Sequence, residues 1–277
     1  MGQRPHDNPQ DVRMTLSRTH LKDLKELAHK KHREEQGKFV IEGVRLVQEA
    51  VDSDFEFLEA FVTDELAEEP GGKALLHSLK GRAPAVLQVT AHDMEQITDT
   101  VTTQGVAALL RQKQYDADAM LVRDERKSVL VAFDAVSDPG NAGTMIRTCD
   151  WFGVDGVVLG VNSVEIYNPK VVRATMGGIF HLPVAEGVDL LPFTTKARAA
   201  GYTVYVTDGG GEMHFDRLNF EAKSLIIFGN EAWGVCDQLK ALADFRVMIR
   251  RYGAAESLNV SVACGVVLSA LHKLYDE

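Results

Sequence analysis

Four uninterrupted apolar runs in the second half of the chain constrain its fold most strongly. They lie at residues 128–133, 156–159, 202–206 and 224–228, and helix-compatible sequence separates each run from the next. Continuous apolar strands are typical of parallel sheets, in which helices cover both faces. The alternation therefore predicts a parallel-sheet α/β domain that binds its ligands at the carboxyl ends of the strands.

The front half of the chain alternates in the same way, with shorter segments. Leu21, Leu24 and Leu27 recur at helical spacing and predict a helix over residues 19–36, followed by an apolar triplet at 39–41. Further segments predict helices at 43–52 and 73–80 and strands at 57–62, 85–89 and 105–110. Apolar content falls after residue 111, which indicates a domain boundary. The predicted parts are a disordered leader at 1–13, a smaller α/β domain at 14–111, a linker at 112–127 and the parallel-sheet domain at 128–277.

Charge is distributed unevenly along the chain. The net charge is −10, yet residues 1–45 contain ten Lys or Arg against seven Asp or Glu, which is +3 and leaves −13 for the remainder. An acidic body disfavours general binding to phosphates, whereas a basic edge attracts them locally. The candidate nucleic-acid contacts at this edge are Lys30, Lys31, Arg33, Lys38 and Arg45.

Composition also points to a compartment. No segment has the roughly 18 successive apolar residues of a membrane helix, and the polar N-terminus lacks the apolar core of a secretory signal. These features predict a cytoplasmic protein with no membrane partner. Cys149, Cys236 and Cys264 lack the spacing of a metal site or a disulfide framework, so we expect reduced, buried thiols and no metal.

The first polar motif spans residues 134–147 and directly follows the first apolar run. A turn at 138–141 starts a helix, with Gly140 or Asn141 as its expected first residue, and Arg147 lies two turns into it. Helix N–H groups and a guanidinium together suit a phosphate oxygen. A tight turn followed by a solvated arginine would give the same pattern.

The second motif, at residues 228–234, ends another apolar run. Gly229 allows a ligand to approach the backbone closely, and Glu231 brings a carboxylate to the carboxyl end of a strand. A simple glycine turn remains an alternative. Trp233 is a candidate packing anchor or a platform on which an RNA base could stack.

The third motif, at residues 249–261, leads into an apolar helix. Ser257 and Asn259 lie where that helix starts and are candidate capping residues. Helix capping alone does not explain this polar turn. It occurs together with two other motifs that carry Gly and Asn at the ends of strands.

In this order, the three motifs resemble those of the SpoU branch of the SPOUT methyltransferases, the TrmH-like RNA ribose 2′-O-methyltransferases, over residues 127–277. The segments at 30–33 and 37–43 are similar to the L30e-like substrate-binding domain of the members that act on ribosomal RNA. The resemblance implies a deep trefoil knot, S-adenosylmethionine as cofactor, a homodimer and an RNA substrate. The front domain favours 23S ribosomal RNA within that family.

The resemblance also implies roles for individual residues. Arg147 would hold the phosphate next to the target ribose, Asn141 and Asn259 would fix the local geometry, and Ser257 would bind the substrate or the loop. Glu231 would orient Arg147 or a loop of the partner subunit. The implied contacts of S-adenosylmethionine are Thr207, Gly229, Ile249, Leu258 and Asn259.

One segment departs from the family pattern. The family usually has Ile-Pro-Met where this chain has Ile249, Arg250 and Arg251. The two cations lie near the expected adenine loop, and they are candidates for phosphate attraction on an otherwise acidic domain.

Three alternatives to this reading remain. The chain could methylate transfer RNA, or it could be a non-catalytic RNA-binding protein of the same fold. Gly209, Gly210 and Gly211 after an apolar run suggest a nucleotide-dependent oxidoreductase, although they lack dinucleotide-binding spacing and a following helix start.

Overall fold

The structure is a computed structural model that describes residues 16–100, 102–122 and 127–271. The chain divides into two compact units, Met1–Gln112 and Lys113–Glu277. The predicted leader at 1–13 lies outside the described residues. Within the described ranges, no helix has both the length and the apolar character needed to cross a membrane.

The first unit contains a four-stranded sheet in the order β1-β4-β2-β3, in which β2 and β3 are parallel and the other pairs are antiparallel. Leu24, Phe61, Met94 and Leu109 belong to the apolar cluster that joins helices to this sheet. The strands are β1 (Lys38–Glu42), β2 (Phe57–Thr63), β3 (Val86–Val89) and β4 (Val106–Arg111). The helices are α1 (Arg18–Glu26), α2 (Lys30–Gln36), α3 (Val44–Val51), α4 (Asp64–Glu68), α5 (Pro70–Arg82) and α6 (Ala91–Ile97).

The single helix predicted over residues 19–36 is wrong, because the chain forms two helices there. His29 has an extended backbone between α1 and α2, with φ −95° and ψ 134°. The Arg33 guanidinium donates to the carbonyl oxygens of Leu27 and Ala28, both at 2.7 Å. Carbonyl groups at a helix end lack intrahelical partners, so Arg33 satisfies the groups that the break leaves open.

The second unit contains a seven-stranded sheet in the order β7-β6-β5-β10-β8-β11-β9, and its paired strands are parallel. The strands are β5 (Ser128–Asp134), β6 (Gly156–Gly160), β7 (Val184–Val188), β8 (Thr203–Thr207), β9 (Met213–His214), β10 (Lys223–Gly229) and β11 (Phe245–Met248). The helices are α7 (Ala117–Leu121), α8 (Pro139–Trp151), α9 (Pro169–Thr175), α10 (Leu190–Ala199), α11 (Asp237–Leu242) and α12 (Val260–Leu268). The predicted parallel-sheet α/β class is confirmed.

Helices cover this sheet as the apolar runs predict. On one face, Leu130 and Ala132 of β5 join an apolar cluster with Phe193 of α10 and Leu239 of α11. Helix α8 packs against α9 and α12. Because successive residues of a strand point to opposite faces, a strand buried on both sides needs an uninterrupted apolar sequence.

The stretch predicted as a linker at 112–127 is partly wrong. It contains α7, and Ala117, Met120 and Leu121 of that helix are buried in the apolar cluster of the second unit. A high content of charged residues concealed this short helix, since only its inner face is apolar. The other predicted boundaries and the trefoil knot stay predictions.

Candidate active site

The three polar motifs converge at one edge of the second unit's sheet. Strands β5, β10, β8 and β11 are consecutive neighbours. Gly229 at the end of β10 is paired in register with Asp134 at the end of β5. The motifs that follow these two strands therefore start side by side, and the third motif starts from the end of β11. Carboxyl ends of parallel strands are where such sheets bind ligands.

A chain of side-chain hydrogen bonds joins the three motifs. The amide nitrogen Nδ2 of Asn141 donates to Oε1 of Glu231 at 3.0 Å. The Nδ2 of Asn259 donates to Oδ1 of Asn141, also at 3.0 Å. We call these three residues the polar relay. Asn141 lies at its centre. Its amide nitrogen donates to Glu231 of the second motif, and its amide oxygen accepts from Asn259 of the third.

Both helices that carry the asparagines are capped next to the relay. Asn259 is the N-cap of α12, and its Oδ1 accepts from the backbone nitrogens of Ser261 at 2.9 Å and Val262 at 3.3 Å. Asp138, rather than Gly140 or Asn141, is the N-cap of α8 and accepts from the Asn141 backbone nitrogen at 2.8 Å. Side-chain caps fix the start of a helix, so the relay is built on two defined helix ends.

Arg147, two turns into α8, and Ser257, two residues before the α12 cap, are exposed and lie outside the relay. Among the described residues, neither side chain forms a hydrogen bond or an ion pair with another. Glu231 accepts from Asn141 and from the backbone nitrogen of Asp138 instead, at 3.0 and 3.4 Å. The expected contact between Glu231 and Arg147 therefore does not form within the described residues. The Arg147 guanidinium is available to an external anion.

A cleft of about 970 Å³ opens beside the relay. Its lining contains Thr207, Gly229, Ile249 and Leu258, which are four of the five expected cofactor contacts, whereas Asn259 does not line it. A Cβ atom at Gly229 would lie 2.1 Å from backbone atoms of Gly234 and Val235, so no other residue fits there. Small-molecule sites have volumes of about 300 to 1,000 Å³, and this cleft falls within that range.

The front cations have a different environment from the one expected. Lys30, Lys31 and Arg45 are exposed, and each contacts a glutamate one turn further along its helix, at 3.5, 3.8 and 3.9 Å. Such exposed pairs are weak, so an RNA phosphate could replace the glutamate. Lys38 is half-buried on β1. Arg33 is only 2% exposed and binds the carbonyls described above, so its proposed phosphate contact is wrong.

Two thiols are buried where α8 packs against α12. Burial raises the pKa of the Cys149 thiol, and a hydrogen bond with Cys264 and that residue's charge raise it further. The Cys149 thiol is therefore held in its neutral form, and the expected burial of Cys149 and Cys264 is confirmed. Cys236 is exposed, which corrects the prediction that it is buried, and its backbone nitrogen donates to Oδ2 of Asp134 at 2.8 Å.

Sequence reasoning gave no role to His214, which also lines the cleft. The imidazole Nε2 of His214 lies 3.1 Å from Nη2 of Arg250. His214 belongs to β9, which pairs with β11, and its register partner in β11 is Met248, two residues before Arg250. A two-residue strand has no recognisable apolar alternation, so no sequence signal predicted this pairing.

Comparison with known families matches both units of the chain. The model of the SpoU rRNA Methylase family matches residues 128–269. The model of the MRM3-like substrate binding domain matches residues 18–108. The two matches cover the two compact units separately.

Individual relatives match almost the whole chain. The 23S rRNA (guanosine(2553)-2′-O)-methyltransferase RlmP of Bacillus subtilis is 33% identical over 255 residues, which is 90% of this chain and 94% of that protein. The 23S rRNA (uridine(2479)-2′-O)-methyltransferase of Streptomyces viridochromogenes is 27% identical and covers 87% of this chain and 85% of its own. The crystal structure of an AdoMet-bound rRNA methyltransferase from Sinorhizobium meliloti superposes with a TM-score of 0.83 at 29% identity, covering 94% of this chain and 98% of that one.

Proposed function

Since the chain belongs to the SpoU rRNA Methylase family, we propose that it methylates a ribose 2′-hydroxyl of 23S ribosomal RNA. It is an RNA 2′-O-methyltransferase, and S-adenosylmethionine is its cofactor. The observation that carries the proposal to this chain is the polar relay. Glu231, Asn141 and Asn259 come from three separate motifs, and hydrogen bonds of 3.0 Å connect them.

The reaction requires alignment and removal of one proton. A ribose hydroxyl is a weak nucleophile until its proton is being removed. A proton acceptor must therefore lie within hydrogen-bond reach of the hydroxyl. When bound, S-adenosylmethionine supplies an electrophilic methyl group on a sulfonium. The residues of the chain therefore have to position the hydroxyl oxygen and provide a path for its proton.

Arg147 is the proposed anchor of the substrate. Its guanidinium has no carboxylate partner among the described residues, and the planar group can bind two oxygens of one phosphate. A phosphate held next to the target ribose fixes the rotation of that ribose and can accept the hydroxyl proton. A guanidinium is not a proton acceptor in proteins, so the role of Arg147 is to orient the substrate and not to deprotonate the hydroxyl.

The relay and Ser257 have positioning roles in this proposal. Glu231 holds the amide of Asn141, and Asn141 holds that of Asn259, so the starts of α8 and α12 keep a fixed separation. Ser257 lies two residues before the α12 cap, lines the cleft and is free to donate to substrate. Breaking any one link of the relay would loosen both helix starts together.

Thr207, Gly229, Ile249 and Leu258 are the proposed cofactor contacts. They line one cleft, in which Ile249 and Leu258 provide apolar surface for an aromatic base and Gly229 permits backbone approach. Asn259 is proposed to act on the cofactor only through the loop before α12, because it lies outside the lining.

The first unit is proposed to bind structured ribosomal RNA. It matches a substrate-binding family, and its candidate phosphate contacts are the exposed cations Lys30, Lys31 and Arg45 and the half-buried Lys38. The acidic remainder of the chain limits general RNA affinity, so recognition depends on these local contacts. An RNA substrate also leads us to propose a cytoplasmic location.

A homodimer and a knotted second unit complete the proposal. Helix α12 is apolar along its length, yet its Val262 is 53% exposed. Exposed apolar surface on a helix that also carries a site residue is typical of a subunit interface. Sedimentation or light scattering of the purified chain measures the oligomeric state directly. A monomer at every concentration would contradict the proposed homodimer.

Mass spectrometry of ribose methylation tests the proposed function. Ribosomal and transfer RNA are compared from cells with and without the gene, rescued by the wild type or by Arg147→Ala. We expect loss of one 2′-O-methyl group in 23S RNA that only the wild type restores. Loss of a 2′-O-methyl group from transfer RNA would instead identify transfer RNA as the substrate. No change in any RNA would favour a non-catalytic RNA-binding protein.

A further inference from the structure

Two exposed aromatic rings line the cleft beside the polar relay. Trp233 is 80% exposed and Tyr252 is 88% exposed, although large aromatic rings are usually buried. Both belong to the lining of the cleft. Trp233 follows Glu231 by two residues, and both residues line the cleft.

The turn that carries Trp233 is well defined. Asn230 and Gly234 exchange two backbone hydrogen bonds, at 3.1 and 2.9 Å, and Gly234 has a φ of +71°. The Asn230 side chain donates to the Ala135 carbonyl at 2.8 Å and accepts from the Ala232 nitrogen at 2.8 Å. These bonds anchor the turn to the end of β5, so the ring is exposed by a fixed backbone.

Two cations accompany these rings. Arg250 and Arg251 directly precede Tyr252 and line the same cleft. Nη2 of Arg250 lies 3.1 Å from Nε2 of the His214 imidazole, and within the described ranges neither arginine forms an ion pair with a carboxylate. Neither arginine is therefore held by a carboxylate within those ranges, and with Lys240 they equal in number the three carboxylates of the lining, Asp208, Glu231 and Glu256.

Exposed aromatic faces next to arginines that form no ion pair within the described residues match unpaired nucleic acid. Unstacked bases lie on aromatic or guanidinium planes, and cations follow the phosphates between them. The base faces of a paired A-form helix are covered by the stacked neighbours, whereas unpaired nucleotides can be splayed out toward a cleft. Two guanidinium groups beside two exposed rings, and the continuity of this surface with the relay through Glu231, favour RNA as the occupant.

We propose that Trp233 and Tyr252, with Arg250 and Arg251, form a platform that stacks unpaired nucleotides flanking the target ribose. The proposal rests on the proposed function and adds a substrate requirement to it. The target must lie in a loop, bulge or strand end, because a paired segment offers no free base faces to the two rings.

The intrinsic fluorescence of the chain offers a direct test, because it has two tryptophans, Trp151 and Trp233. Trp151 is 83% exposed on α8 and does not line the cleft. Trp151→Phe leaves Trp233 as the sole reporter, and Trp233→Phe leaves Trp151 as a matched control. We expect saturable quenching of Trp233 by an unpaired oligoribonucleotide of about twelve nucleotides, and little effect from the same strand in a duplex. Equal quenching of Trp151, or equal quenching by the duplex, would overturn the proposal.

Binding and transfer measurements complete the test. We expect the double variant W233A/Y252A to bind the unpaired RNA at least tenfold more weakly, and W233F/Y252F to stay within about threefold of wild type. S-adenosylmethionine affinity should be unchanged in both, and a loss there would identify the rings as cofactor contacts and overturn the platform. Trp233 emission that changes with protein concentration alone would assign the rings to an interface between copies. Wild-type methyl transfer is measured in parallel: its absence refutes the proposed function, whereas transfer with unaltered RNA binding by W233A/Y252A refutes the platform alone.

Discussion

Asn141→Asp is the substitution that probes the polar relay most sharply. The side chain keeps its size and its acceptor for Asn259, but the donor that binds Glu231 becomes a carboxylate oxygen. That donor lies 3.0 Å from Oε1 of Glu231, so the substitution opposes two negative charges at hydrogen-bond distance. The two oxygens must separate or share a proton.

The expected size of the effect follows from that distance. Two unit charges 3 to 4 Å apart repel by about 1 kcal/mol at the dielectric constant of water and by about 4 kcal/mol at an effective value of 20. The relay is partly exposed, so the lower half of this range applies. A cost of about 1 to 2.5 kcal/mol in alignment corresponds to a loss of roughly 5- to 70-fold in rate.

The effect should depend on pH in a defined direction. A like charge raises the pKa of one carboxyl group of such a pair. Above the raised pKa both groups are charged and the relay is broken, whereas below it one group is protonated and donates to the other. The activity of Asn141→Asp relative to wild type should therefore recover as pH falls.

Single-turnover methyl transfer to 23S RNA between pH 5.5 and 8 measures this ratio. Asn141→Ala removes the hydrogen bonds without adding charge and should show a constant deficit across the range. Asn168→Asp is a matched control, because Asn168 caps α9 with its side-chain oxygen, which an aspartate also supplies. A constant ratio for Asn141→Asp, or full activity at high pH, would refute the relay as a positioning device.

Three further predictions address other parts of the chain. Arg147→Lys keeps the charge but loses the two-point phosphate contact, so kcat should fall at least tenfold with unchanged S-adenosylmethionine affinity; near-normal turnover would contradict the anchoring role. Gly229→Ala places a Cβ 2.1 Å from the backbone of the following turn, so calorimetric titration should detect no cofactor binding; normal affinity would show that the turn can move. Arg33→Ala should lower the unfolding free energy by about 1 to 3 kcal/mol in denaturant melts while leaving RNA affinity unchanged, with Lys30→Ala showing the opposite pattern.

The buried strands of the second unit could be predicted because burial on both faces leaves a strong sequence record. The runs at 128–133, 156–159, 202–206 and 224–228 all form strands of the parallel sheet. Strands β7 and β11 were missed because each is only partly buried and carries polar residues, such as Glu186 and Arg246. Periodicity detects apolar faces and not hydrogen-bond ladders.

The polar contacts could not be predicted from sequence patterns. Arg33 belongs to a basic run. Nothing in that run distinguishes an arginine that binds a phosphate from one that binds the carbonyl groups of Leu27 and Ala28 between two helices. The relay likewise joins residues up to 118 positions apart, and its donors and acceptors are set by where the strands end. The motifs indicated which side chains approach the site, while the fold decides which of them bind one another.

The most direct measurement of the central claim uses purified chain, 23S RNA and S-adenosylmethionine with a deuterated methyl group. The RNA is digested to nucleosides and read by mass spectrometry. We expect one deuterated 2′-O-methyl nucleoside with wild-type protein and none with Arg147→Ala. A deuterated methyl on a base, or equal ribose labelling by Arg147→Ala, would contradict the account.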